Sequence, residues 1–141
     1  MQLTLEYILS KHLPLRSYSV LNKVIHSFNF SFKVTGHRVS KLGDFRVSHG
    51  SDPVITVNGS LNQYSFLITF LHELAHLAVY NECNKRIKPH GNEWKTKFQE
   101  YLLLTIKEEL FPDDLLEEIL LFTNNPKAST CASPRLMKAL G

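Results

Sequence analysis

Cysteine is scarce in this chain, and its two cysteines do not pair by spacing. Cys83 and Cys131 stand 48 residues apart, with no Cys-x-x-Cys. That argues against a disulfide framework and a zinc ribbon in these residues, and it fits a reducing, cytoplasmic setting. Long apolar runs are missing too. None reaches the eighteen or so residues of a membrane span, so no membrane association is expected. Met1 to His12 carries neither a basic n-region nor an unbroken apolar stretch, so it does not read as a secretory signal. Repeats, low-complexity tracts and inter-domain linkers are also lacking. What is left is ordinary: 141 residues, 43% hydrophobic and 21% charged. That is enough for one domain around one core.

The net charge of +3 is unevenly spread. Residues 1–100 hold 12 Lys/Arg against 7 Asp/Glu, and residues 101–141 hold 4 against 6. Lys85, Arg86, Lys88, Lys95 and Lys97 crowd around His90, opposed only by Glu93. Lys33, Arg38, Lys41 and Arg46 make a second basic stretch. A solvated surface is the plain reading of both, and a nucleic-acid footprint is the functional one.

Periodicity orders the chain. Leu3 to Lys11 reads as a short helix stopped before Pro14. Leu15 to Phe28 reads as a second, with Ser17 or Ser19 as its cap. Phe28, Phe30, Phe32 and Val34 then alternate as a strand, Phe45 and Val47 as another, and Pro53 to Asn58 as a third. Pro53 suits an exposed edge, so this third strand is expected to border a cleft and to pair with an extended substrate. Asn62 caps a helix that is apolar nearly all round. Gly91 to Leu110 and Pro112 to Phe122 are further helices, and a turn of helix is expected within Leu136 to Leu140. The order ααβββααα implies an α+β fold with a small antiparallel three-stranded sheet packed on helices. Residues 1–123 form the domain, and 124–141 are expected as a polar, loosely packed C-terminal tail.

Into the apolar helix the chain drives "HELAH", His72 to His76. Histidines four apart share a helix face and can reach one zinc at about 2.0–2.1 Å. Glu73 is turned about 100° away from His72, too far round to chelate comfortably but well placed to hold a water at the metal. This is the His-Glu-x-x-His device of zinc hydrolases. The metal polarises a carbonyl and acidifies water, while the glutamate moves the proton. Without a metal, a buried helix would have to satisfy two imidazoles and a carboxylate at considerable cost.

A catalytic zinc takes three protein ligands and leaves one position open. The metzincin pattern fails, because Val79 and Glu82 stand where Gly and His would be needed. Glu93 and Glu100 are available for a thermolysin-like site but lack a diagnostic spacing. A deformylase-like site needs a cysteine upstream of His72, and there is none. Cys83 is possible but close to the end of the helix. His90 fits better: it follows His76 by fourteen residues, across one loop and at the mouth of the next helix. Tyr64, Tyr80, Tyr101, Arg46 and Lys88 are all chemically able to stabilise an oxyanion, and the sequence does not rank them.

"FLITFLHELAHL" followed by "KPHGNEW" resembles the SprT-like zinc metallopeptidases, the Spartan-related family. "KLGDFR" (Lys41 to Arg46) and "ITVNGSLN" (Ile55 to Asn62) resemble that family's approach to its active-site helix. The likeness covers about residues 15–110. It implies a zincin-like fold, an intracellular peptidase, one Zn2+ per chain on His72, His76 and His90, and Glu73 as catalytic acid/base. It also implies protein or peptide substrates associated with DNA. On that reading, Lys85, Arg86, Lys88, Lys95 and Lys97 are nucleic-acid contacts beside the cleft. These residues depart from the family in lacking the C-terminal β or zinc-ribbon region that many bacterial members carry. The rival reading is a metal-stabilised DNA- or protein-binding module with little or no hydrolytic activity.

Overall fold

In the computed structural model of the chain, residues 4–38, 40–82, 90–128 and 134–140 are described. Helix α1 (Leu5–His12) starts where Thr4 Oγ1 accepts the Tyr7 amide at 3.1 Å. Helix α2 (Ser17–His26) starts differently from the sequence expectation. Its N-cap is Arg16 in the left-handed region (φ 75°), with no side-chain cap, and Ser17 is already the first helical residue. Three strands follow: β1 (Ser31–Thr35), β2 (Gly43–Arg46) and β3 (Val54–Asn58). Four more helices complete the described chain: α3 (Gln63–Glu82), α4 (Asn92–Lys107), α5 (Asp113–Asn124) and α6 (Pro134–Leu140). The order of elements is the one the periodicity implies.

The pairing of the strands is not. The sheet order is β1-β3-β2, with β3 antiparallel to β2 but parallel to β1, so the sheet is mixed. The expected edge strand at Pro53 to Asn58 is in fact the central one, paired on both sides. The physical reason lies in its side chains. Ile55 and Val57 are fully buried, and a near-continuous β-branched run suits the middle of a sheet better than its edge. Pro53 sits just before the strand, where only its carbonyl is used, accepting the Ser31 amide at 2.9 Å. The edge position beside α3 belongs to β2.

The register sorts the sheet into two faces. Phe32, Val34, Gly43, Phe45, Ile55 and Val57 point toward α3. Lys33, Thr35, Asp44, Arg46, Thr56 and Asn58 point the other way. On that outer face, fully buried Asn58 accepts from Arg38 Nε at 2.7 Å and from Thr35 Oγ1 at 3.1 Å, and donates to the Lys41 carbonyl at 2.9 Å. One amide thus fastens the β1–β2 connection to the sheet.

Helix α3 fills the centre. Phe66, Leu67, Ile68, Phe70, Leu71, Leu74, Leu77 and Ala78 are all fully buried. Each large side chain among them contributes about 1.5–3 kcal/mol of transfer free energy. Asn62 caps the helix as expected, its Oδ1 accepting the Tyr64 amide at 3.1 Å and the Ser65 amide at 2.9 Å. The loose packing expected after residue 123 does not extend to 134–140. There α6 docks with Leu136 fully buried, Arg135 pairs with Glu118 at 2.8 Å, and Asn62 Nδ2 donates to the Leu140 carbonyl at 2.7 Å. No helix among the described residues is long and apolar enough to cross a membrane.

Candidate metal and catalytic site

His72 and His76 lie one turn apart on α3, and both present Nε2 to the same side. His90 joins them from the turn that leads into α4. Its Nε2 is 3.0 Å from His76 Nε2 and 3.2 Å from His72 Nε2. The backbone reaches this position at a cost: His90 has φ 59°, the left-handed region, and Gly91 follows as the N-cap of α4. A non-glycine residue held there carries strain of about 1–2 kcal/mol. Such outliers gather at functional sites, where the surrounding structure dictates them.

Trp94, one turn into α4, locks the cluster. Its indole Nε1 donates to the His72 carbonyl at 3.1 Å. Its ring lies 4.9 Å from His72, 5.5 Å from His76 and 4.7 Å from His90 between centroids. From the opposite side, the Phe45 ring of β2 stacks on His76, at 6.0 Å and 14°.

The donor set fits a metal. Three neutral imidazoles facing one another with Nε2 cannot all be satisfied by hydrogen bonds, because one N–H serves one neighbour and leaves other lone pairs opposed. A cation accepts all three. Ligand bonds of about 2.0–2.1 Å at tetrahedral angles separate nitrogens by roughly 3.3–3.4 Å, close to the spacings here. Histidine is the only ligand type in the cluster: among the described residues, His72, His76 and His90 form the group able to hold an ion. All three stay partly accessible, as a site with an open coordination position requires. Burial, and then repulsion from the neighbouring imidazoles, pushes His72 down to about 3 and His76 down to about 4. Burial lowers His90 as well. All three are therefore neutral, as ligands must be, at neutral pH.

Glu73 is buried at 6% exposure, with Oε2 3.8 Å from His72 Nε2. Burial raises its carboxyl to about 8, Asp44 adds to the rise, and Arg38 and Lys41 oppose it. Its neighbour across the interface is Gly43. A Cβ on that glycine would stand 2.7 Å from Thr69 Cγ2 and 3.1 Å from Glu73 Oε2. Glycine at this position lets β2 close onto the carboxylate. The sequence reading did not single out Gly43 or the left-handed turn at His90. The "LGDF" stretch and the His-Gly pair were their only traces.

The oxyanion candidates now separate. Tyr64 packs on Phe111, Tyr101 is 5% exposed with its hydroxyl raised to about 12 by burial, and Arg46 is bound to Asp44 at 2.6 Å. Lys88 lies outside the described residues, as do Cys83, Lys85 and Arg86. Tyr80 is 47% exposed on the histidine-bearing face of α3. Of the remaining basic candidates, Lys97 is held by Glu82 at 2.8 Å and Glu100 at 3.3 Å, while Lys95 donates to Asn125 at 3.3 Å.

Comparison with curated proteins and with solved structures finds no match. A family model described as the SprT-like family matches residues 21–106. That span is more than half of the chain, and it contains β1 to β3, all three histidines and most of α4. The chain belongs to the SprT-like family.

Proposed function

We propose that the chain is a zinc-dependent peptidase in which Glu73 moves the proton. The observation that carries this reading is a buried carboxyl group beside three converging imidazoles. A binding module stabilised by metal would need the imidazoles but gains nothing from burying Glu73, which is costly without partners. When bound, zinc would supply Lewis acidity, drawing electron density from a scissile carbonyl.

The chain's own residues supply the rest. His72, His76 and His90 hold the ion, and Trp94 fixes the turn of α3 that carries His72. As the carboxylate, Glu73 can take a proton from water and, as the acid, return it to a leaving amine; the burial that raises it to about 8 makes that carboxylate the stronger base. A dication nearby would lower it again and favour the carboxylate that acts first. The outer edge of β2, which has no strand partner among the described residues, offers backbone donors and acceptors to an extended peptide, the role first expected of Pro53 to Asn58.

Action on DNA-associated proteins is the finer part of the proposal. It is supported by the family and by Lys33 and Arg46 on the outer face of the sheet, with Arg38 and Lys41 in the β1–β2 connection beside it. Of the two described basic candidates near His90, Lys97 is the weaker, since two carboxylates already hold it. The test is metal content together with cleavage of an unfolded protein, with and without DNA, at two salt concentrations. Glu73→Gln should keep one metal per chain and lose about 10²–10⁴-fold in turnover. Undiminished turnover in the metal-replete variant would remove Glu73 from the reaction. DNA binding that ignores salt would count against a phosphate-contacting surface.

A further inference from the structure

Beyond the ligands, α3 continues the same face for one more turn. His72, His76 and Tyr80 are spaced four apart, so Tyr80 stands beside His76 on the side of the strand edge. Phe45 joins the two. Its ring stacks on His76 at 6.0 Å and 14°, and it meets Tyr80 edge-on at 6.0 Å and 62°. The pair is not covered: Phe45 is half-buried and Tyr80 is 47% exposed. Val47, just past the end of β2, is 43% exposed. Phe45 packs one side against the core, but its contact with Tyr80 beside the histidine cluster is left open.

The register says what they would meet. β2 is the last strand of the sheet, and its outer edge has no strand partner among the described residues. Gly43 and Phe45 both point toward α3. A peptide added along that edge places alternate side chains on this same face, opposite those two positions. Opposite Phe45 the incoming side chain would lie on the Phe45 and Tyr80 rings.

We infer that Phe45 and Tyr80 form a specificity subsite that selects an apolar, preferentially aromatic, side chain flanking the scissile bond. The inference rests on the peptidase reading for the meaning of "scissile", but the subsite itself is a binding surface that can be read without turnover. Aromatic pairs favour edge-to-face and offset contacts, so a phenylalanine adds to the existing pair in a way that alanine cannot.

The test uses the zinc-loaded protein and two extended peptides that differ only in Phe or Ala at the flanking position. The wild type should favour the Phe peptide by about tenfold or more in kcat/KM, the scale of apolar pocket discrimination. Tyr80→Ala should collapse that ratio while metal content stays at one per chain, and Tyr80→Phe should keep the ratio. Equal kcat/KM for the two peptides in the wild type overturns the subsite, and so does an unchanged ratio in Tyr80→Ala. Binding of the same peptides to zinc-loaded Glu73→Gln is measured alongside. If the wild type cleaves neither peptide yet the Phe peptide binds more tightly, and Tyr80→Ala abolishes the difference, the subsite stands and the peptidase reading falls. Equal binding with no cleavage overturns both.

Discussion

His72 and His76 come from a regular helix, whereas His90 comes from a left-handed turn, and the three nitrogens nevertheless meet within about one hydrogen-bond length. The helix places its pair for free, because four residues bring the chain once round and both imidazoles fall on one face. The turn places its single imidazole only by holding φ at 59°. Trp94 reconciles the two sources, bonded to the backbone of one and packed on the ring of the other. A ligand set can therefore be rigid on one side and strained on the other, and the strained side should be the one most sensitive to backbone chemistry.

The largest expected effect does not distinguish the two sources. Alanine at His72, His76 or His90 should each take metal content from one ion per chain to near zero in elemental analysis. If His90→Ala keeps its metal while Glu93→Gln or Cys83→Ser loses it, the turn does not supply the third ligand.

Acid and base should separate the cluster from its glutamate. His72 and His76 sit far below the ordinary 6.5 in the metal-free site, at about 3 and about 4. The unfolded chain therefore binds more protons at these positions. Their contribution to stability is present above about pH 6.5 and is lost as pH falls toward their folded values. Glu73 is shifted the other way, from 4.5 to about 8. It favours the fold at low pH, and that contribution is lost as pH rises through 8. Two histidines outweigh one carboxyl below pH 6.5, and the carboxyl acts alone above it. Metal-free protein should be most stable near pH 6.5, read as the thermal midpoint across a pH series. Glu73→Gln should remove the alkaline decline and leave the acid one. A midpoint that still falls above pH 7 in that variant would assign the decline to another group.

The smallest effect sharpens the comparison most. His90→Ala and His90→Gly both delete the imidazole, but only glycine tolerates the left-handed backbone without strain. In metal-free protein the glycine variant should be the more stable by about 1 kcal/mol, against the usual order of these two residues. Denaturant unfolding measures it. Alanine proving the more stable would mean that the turn relaxes once the side chain is gone.

Much of this was legible in advance, for reasons that differ from residue to residue. His72, His76 and Glu73 stood out because helical spacing converts sequence distance directly into geometry. Asn62 was legible as a cap because capping is local. His90 could be proposed from reach, but the turn that aims it could not, since any residue may precede a glycine. The strand order departs from the sequence expectation because Pro53 is an edge signal. The β-branched run Val54, Ile55, Val57 carried the better one, and strand pairing is decided by contacts between segments rather than within them. Gly43 was invisible for the same reason: its importance comes from Glu73, thirty residues away, and not from its own neighbours.

Asn62 does two jobs with one side chain, and the second has a consequence in time. Its oxygen completes the start of α3, while its nitrogen holds the Leu140 carbonyl across 78 residues of chain. Closing a loop of that length costs roughly 4 kcal/mol in entropy before any contact repays it. The oxygen's bonds, two and three residues away, cost almost nothing to reach. The cap should therefore form early in folding and the α6 tether late, so the helix that carries the histidines begins with a local bond and has its first turn secured by one of the most distant contacts in the chain.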